Sequence, residues 1–173
     1  MRVFGVVIGL CLLVAVVGAQ APTAYPVANL AQVMRAIYCP NANIIFDVQM
    51  RDPDAPRETT AADGTVSSTF ASIYTGWQLV ENAGLMLAEG AMLITMPGRL
   101  CQNGRQVPAG YGWQKYVREM AATGWEVYQA AKARDQALVA ELTNDLATGC
   151  ANCHSVYRDK DDRCIPDYGV TRQ

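Results

Sequence analysis

The chain has one histidine, His154, in 173 residues, so no site that needs two histidines can be built within it. Lysine and arginine number 14 against 16 aspartates and glutamates, with no cluster of basic residues, so the basic footprint of a nucleic-acid binder is missing. The net charge of −2 is mild, and no basic amphipathic stretch marks a membrane-surface helix. No catalytic triad or carboxylate pair is evident, so no enzyme is expected. No segment alternates apolar and polar residues for long enough to predict a strand, and there is no internal repeat or low-complexity tract. The longest apolar run, Val3 to Val17, falls short of the roughly 20 residues a membrane span needs.

That run has another reading. Arg2 precedes it, and Gly18-Ala19-Gln20-Ala21 follows. A basic start, an apolar middle and small residues at the end are the layout of a secretory signal, residues 1–19, with cleavage after Ala19. The competing reading is an uncleaved anchor. After cleavage, residues 20–173 remain, about 154 residues or one ordinary domain, with a core region of about 26–160 and no membrane span. The expected compartment is the periplasm, where disulfides persist. Cys11 lies in the signal, leaving Cys39, Cys101, Cys150, Cys153 and Cys164, an odd number that cannot all pair internally.

Four helical stripes follow. Val27, Leu30, Met34 and Ile37 open the first near Pro26; Pro40 interrupts it, and Ile44, Ile45 and Val48 resume it weakly. The outcome is either one kinked helix or a helix followed by a separate turn. Residues 51–67 are polar and unpatterned, a long connection. Phe70, Ile73, Trp77, Val80, Gly84, Leu87, Ala91 and Ile94 make the second stripe, with Ser67, Ser68 or Thr69 as its cap and Met96-Pro97-Gly98 as its stop. Trp113, Tyr116, Val117, Met120, Gly124, Val127, Tyr128 and Ala131 make the third. Leu138, Leu142, Leu146, Cys150, Cys153, His154 and Tyr157 make the fourth. Trp77, Trp113 and Trp125 lie on or beside these stripes and read as core. The expected fold is all-α, an antiparallel four-helix bundle with a long first connection.

The fourth stripe runs into Cys150-Ala151-Asn152-Cys153-His154. C-x-x-C-H is the attachment motif for a c-type haem. Cysteines at i and i+3 share one helix face, so their sulfurs can take two neighbouring vinyl groups of one porphyrin. The adjacent histidine then binds the iron. A redox-active C-x-x-C would open a helix, whereas this one closes it. A zinc site would need four ligands, and the remaining cysteines are isolated. The expected cofactor is one covalent haem c on Cys150 and Cys153, placed near the C-terminal end of the fourth helix. The lone His154 rules out bis-histidine ligation; the sixth position is left to Met, another side chain, water or nothing.

A C-x-x-C-H at the end of an all-helical exported chain resembles the class II cytochromes c, the group of cytochrome c′ and its low-spin relatives. The likeness extends through Ser155-Val156-Tyr157-Arg158, where family members often carry an aromatic and a basic residue. The resemblance implies a haem between the helices at one end of the bundle. In low-spin members a first-helix methionine is the sixth ligand; in cytochrome c′ that position is apolar and the iron is five-coordinate. Met34 sits at the corresponding place, as an iron ligand or as core filler. Met50, Met86, Met92, Met96 and Met120 are weaker candidates. Arg158 either offsets a haem propionate or is solvated. Cys39-Pro40 in the first helix, the long first connection and the extra cysteine of the tail depart from the simple pattern.

In such a bundle the second-to-third loop and the end of the fourth helix share a pole. Cys101 and Cys164 are therefore expected to pair, leaving Cys39 a buried free thiol; the alternatives are three unpaired thiols, or Cys39 paired with one of the others. The function expected is one-electron transfer to unidentified redox partner proteins, with His154 and Met34 as iron ligands. The alternatives are a five-coordinate gas-binding protein and a haem subunit of a larger redox complex. Class II resemblance also allows a homodimer.

Overall fold

A computed structural model describes residues 26–55, 58–60, 62–63, 66–68, 74–158 and 164. The signal segment 1–19, Thr69, Phe70, Ile73 and most of the tail lie outside the described residues.

The first helix opens at Leu30. Asn29 caps it by accepting from the Gln32 N–H at 2.9 Å, and the Gln32 side chain accepts from the Asn29 N–H at 2.8 Å. Two orphan donors are satisfied at once, and Leu30 and Val33 enter the core. Val27 is fully exposed, outside the stripe the sequence predicts for it. The helix is one element in three pieces: an α-turn over Leu30–Val33, a π-turn over Met34–Tyr38 and an α-helix over Cys39–Asp47. Pro40 has no N–H to give, but it falls in the first turn of the last piece, where none is required. The Asn41 side chain donates to the Ile37 carbonyl at 2.6 Å. Of the two readings of Pro40, the continuous helix is the one observed.

The connection that follows is not structureless. Glu58–Thr60 and Val66–Ser68 form a two-stranded antiparallel hairpin, pairing Glu58 with Ser68 and Thr60 with Val66. Ser67 and Ser68 are thus strand residues, and the second helix, Trp77–Ile94, starts later than its apolar stripe suggests. Gly76 sets the start. Its φ is +56°, and a Cβ there would lie 2.7 Å from the Pro53 carbonyl oxygen, so no other residue fits without strain. Trp77 is buried and donates its Nε1–H to Asp54 at 3.0 Å.

The third helix spans Tyr111–Lys132 and the fourth Gln136–Tyr157, the latter capped by Asp135 accepting from the Leu138 N–H at 3.0 Å. The second and third helices are the closest pair. A Cβ on Gly84 would lie 2.7 Å from the Tyr128 nitrogen and 2.9 Å from the Gly124 oxygen, so their backbones touch. Two core assignments change. Leu138 is 42% exposed, and Val139 takes the buried position beside Leu142, Thr143 and Leu146. Trp125 is 49% exposed and stacks beside Tyr128 instead of entering the core.

Cross-links fix the order. At one pole the Leu30 N–H donates to the Leu100 carbonyl at 2.8 Å. Buried Arg99 there donates to the carbonyls of Ala28 and Leu93, tying the chain before the first helix to the end of the second. At the other pole Gln136 donates to the Val48 carbonyl at 3.2 Å, and the Gln49 side chain meets Thr143. The first helix therefore runs antiparallel to the fourth. First contacts second, second contacts third, third contacts fourth and fourth contacts first, the contact pattern of an antiparallel four-helix bundle. The chain is mainly helical, and among the described residues no helix is long and apolar enough to cross a membrane.

Candidate functional site

The last two turns of the fourth helix carry Cys150, Cys153, His154 and Tyr157 on one side, all half-buried, while Arg158 at the helix end is exposed. Tyr157 fastens this end to the third helix. Its ring meets Trp113 edge-on at 4.9 Å between centroids and Tyr116 at 6.1 Å. Gly112 leaves room for the Tyr157 hydroxyl, which lies 3.0 Å from where a Cβ would be. The turn that bears His154 is thus held by packing.

This face looks across a cleft to the first helix. One cavity of about 260 Å³ opens at the pole, and one of about 100 Å³ lies deeper. Met34, Cys39, Trp113, Cys153 and His154 line both, so residues far apart in sequence converge on one space. Together the two fall in the range of small-cofactor pockets, roughly 300–1,000 Å³. Leu87, Val117 and Leu146 give the deeper part an apolar wall, while Arg35 and Arg158 flank the outer part.

Among the described residues, two side-chain polar atoms are buried without a hydrogen-bond partner: the Tyr38 hydroxyl and Trp113 Nε1. Tyr38 and Trp113 are only 5% and 2% exposed, and unsatisfied buried groups of this kind are costly, on the order of 1–3 kcal/mol each. Burial also raises the Tyr38 hydroxyl far above the usual tyrosine range, with the Arg99 charge opposing in part. The Cys153 thiol is pushed up to about 11, by burial first and the neighbouring Cys150 second. Cys150 is raised by burial and then by Cys39. Both thiols are therefore neutral at neutral pH.

The site residues expected from the sequence fall into two groups. Cys150, Cys153, His154, Met34 and Arg158 share the cleft, with Met34 contributed by the first helix and His154 by the fourth. Cys101 and Cys164 are joined by a disulfide, with Cα atoms 5.1 Å apart, on the wall of the outer cavity. Among the other methionines, Met50, Met86 and Met92 are exposed and Met96 sits against Arg99, while Met120 lines only the deeper cavity. Cys39, expected to be buried, is exposed, and it lines both cavities one wide turn beyond Met34. Arg35, the Trp113 N–H and the Tyr38 hydroxyl are site features that the stripe pattern does not single out; Arg35 is signalled only by its place next to Met34.

The donor set suits haem. Two thiols at i and i+3, an imidazole beside them and a thioether on the first helix are the kinds of group that hold a c-type haem. The two arginines on the outer cavity suit its carboxylates. Among the described residues no three His, Cys, Asp or Glu side chains are grouped so that they could hold a metal ion. Comparison of the chain with protein-family models, curated proteins and solved structures finds no match.

Proposed function

We propose that the chain is an exported mono-haem cytochrome of class II type and acts as a one-electron carrier. The observation that carries this reading is the convergence of Met34 with Cys150, Cys153 and His154 on one cleft. When bound, haem supplies an iron couple that takes up and releases one electron. Cys150 and Cys153 would hold it through two thioethers, and His154 would be its proximal ligand. Met34 would supply a thioether sulfur, a ligand that favours reduced iron and raises the potential. Arg35 and Arg158 would offset the carboxylates at the rim. The apolar wall would keep water from the iron, and the Cys101–Cys164 bridge holds Cys164 on the cleft wall. Nothing in this scheme needs a nucleophile or a general acid.

Absorption spectra of the purified protein, oxidised and reduced, test it. The expected result is a low-spin, six-coordinate haem with a sulfur–iron band that is lost in Met34→Ala. An unchanged low-spin spectrum in that variant contradicts ligation by Met34. A second reading takes Met34 as core filler, since it packs against the hydrophobic core. A high-spin spectrum in the unaltered protein selects the five-coordinate, gas-binding form.

A further inference from the structure

Cys39 is the mature cysteine used neither by the Cys101–Cys164 bridge nor by the attachment motif. The π-turn decides where it goes. The Cys39 N–H bonds to the Met34 carbonyl, so the two residues stack one wide turn apart, and both line both cavities. The first and fourth helices are antiparallel. Going from Met34 to Cys39 therefore leads away from the open pole by about one turn, as does going from His154 back to Cys150. If Met34 stands across from His154, Cys39 stands across from Cys150. Both thiols line the deeper cavity, and the charge of Cys39 is felt at Cys150. Cys150 thus has two thiol neighbours, Cys153 on its own helix and Cys39 across the cleft.

We propose that in the haem-free chain Cys39 and Cys150 form a reversible disulfide that guards the attachment site. The guarding role rests on the haem reading above; the pairing itself does not. The oxidant is an external disulfide of the small-molecule or oxidoreductase class. Exposed Cys39 attacks one of its sulfurs, forms a mixed disulfide and releases one thiol. Cys150 then attacks the Cys39 sulfur, forms the internal bond and releases the second thiol. Two protein thiols are oxidised and one external disulfide is reduced, and the two protein protons leave on the released thiols. While this bond stands, Cys150 has no S–H to add across a vinyl group, so reduction must precede attachment. Once the thioether forms, Cys150 is consumed and Cys39 remains a free thiol.

The test uses the full mature chain produced without haem attachment. It is equilibrated with oxidised glutathione, alkylated, digested and mapped by mass spectrometry. The expected result is joint loss of alkylation at Cys39 and Cys150, a peptide linking them, and an alkylated Cys153; a dithiol reverses all three. In the haem-loaded chain Cys39 is alkylated. A Cys150–Cys153 link with Cys39 still alkylated overturns the pairing. A Cys39–Cys150 link in a chain whose exported form carries no haem overturns the guarding role and the haem reading together, and leaves the pairing in place.

Discussion

Replacing Gly84 by alanine tests the contact that holds the second and third helices together. The added Cβ would fall 2.7 Å from the Tyr128 nitrogen and 2.9 Å from the Gly124 oxygen. Both are backbone atoms, so relief requires one helix to move by several tenths of an ångström along its length. Alanine gains about 1 kcal/mol of helix propensity over glycine. Overpacking costs about 1–3 kcal/mol, and backbone that cannot swing aside puts this site in the upper half. The net expectation is a loss of about 1–2 kcal/mol, a fall in Tm of roughly 2–8 °C for a domain of this size. The contrast is Gly149→Ala, at a helical position with no atom within 4 Å of the added Cβ, where only the propensity gain of up to about 1 kcal/mol applies. Both variants are compared in the haem-free chain by thermal unfolding followed by circular dichroism, because Gly149 lines the deeper cavity. Adding Gly124→Ala to Gly84→Ala costs less than the sum, because one displacement relieves both clashes. If Gly84→Ala raises Tm as much as Gly149→Ala, the helices do not touch through these glycines and the packing described is wrong.

Cys164→Ser opens a bridge spanning 63 residues, a loop closure worth about 4 kcal/mol in the chain-entropy model. Urea unfolding is expected to show a loss of about 2–4 kcal/mol, matched by the unaltered chain under reducing conditions. Alkaline pH separates the haem-free from the loaded chain. Cys153 is raised from 9.0 to about 11 in the fold, by burial first and Cys150 second, so its stabilisation is full below about 9 and falls as pH rises toward 11. Tyr38, raised from 10.0 by burial, adds to the loss only above that value. Haem attachment removes the cysteine protons, so the onset of alkaline destabilisation, read as the urea midpoint against pH, should move upward on loading.

The four helices were legible because each buries a stripe long enough to show its period: Val80, Gly84, Leu87 and Ile94 keep their places, as do Val117, Gly124 and Val127. The start of the second helix was not. Phe70 and Ile73 continue its period, but periodicity carries no record of a left-handed glycine, and Gly76 pressed against Pro53 is what fixes the boundary. Leu138 and Val139 show the same limit at the scale of one residue: either fits an apolar stripe, and the cap at Asp135 determines which one turns inward. Pro40 was ambiguous because a π-turn, which no local pattern announces, absorbs its missing donor. The attachment motif was readable because three of its chemical groups lie within five residues. What faces it was not, since Arg35, Tyr38 and Trp113 join the cleft only through the packing of the first and third helices on the fourth.

Covalent attachment is the claim on which the functional reading stands, and one measurement addresses it directly. The exported chain is purified, unfolded, extracted with acidified organic solvent and weighed intact, then digested. The expected result is a chain heavier by one haem that resists extraction, with the added mass on the peptide containing Cys150, Cys153 and His154. An unmodified mass, with Cys150 and Cys153 both open to alkylation, contradicts it.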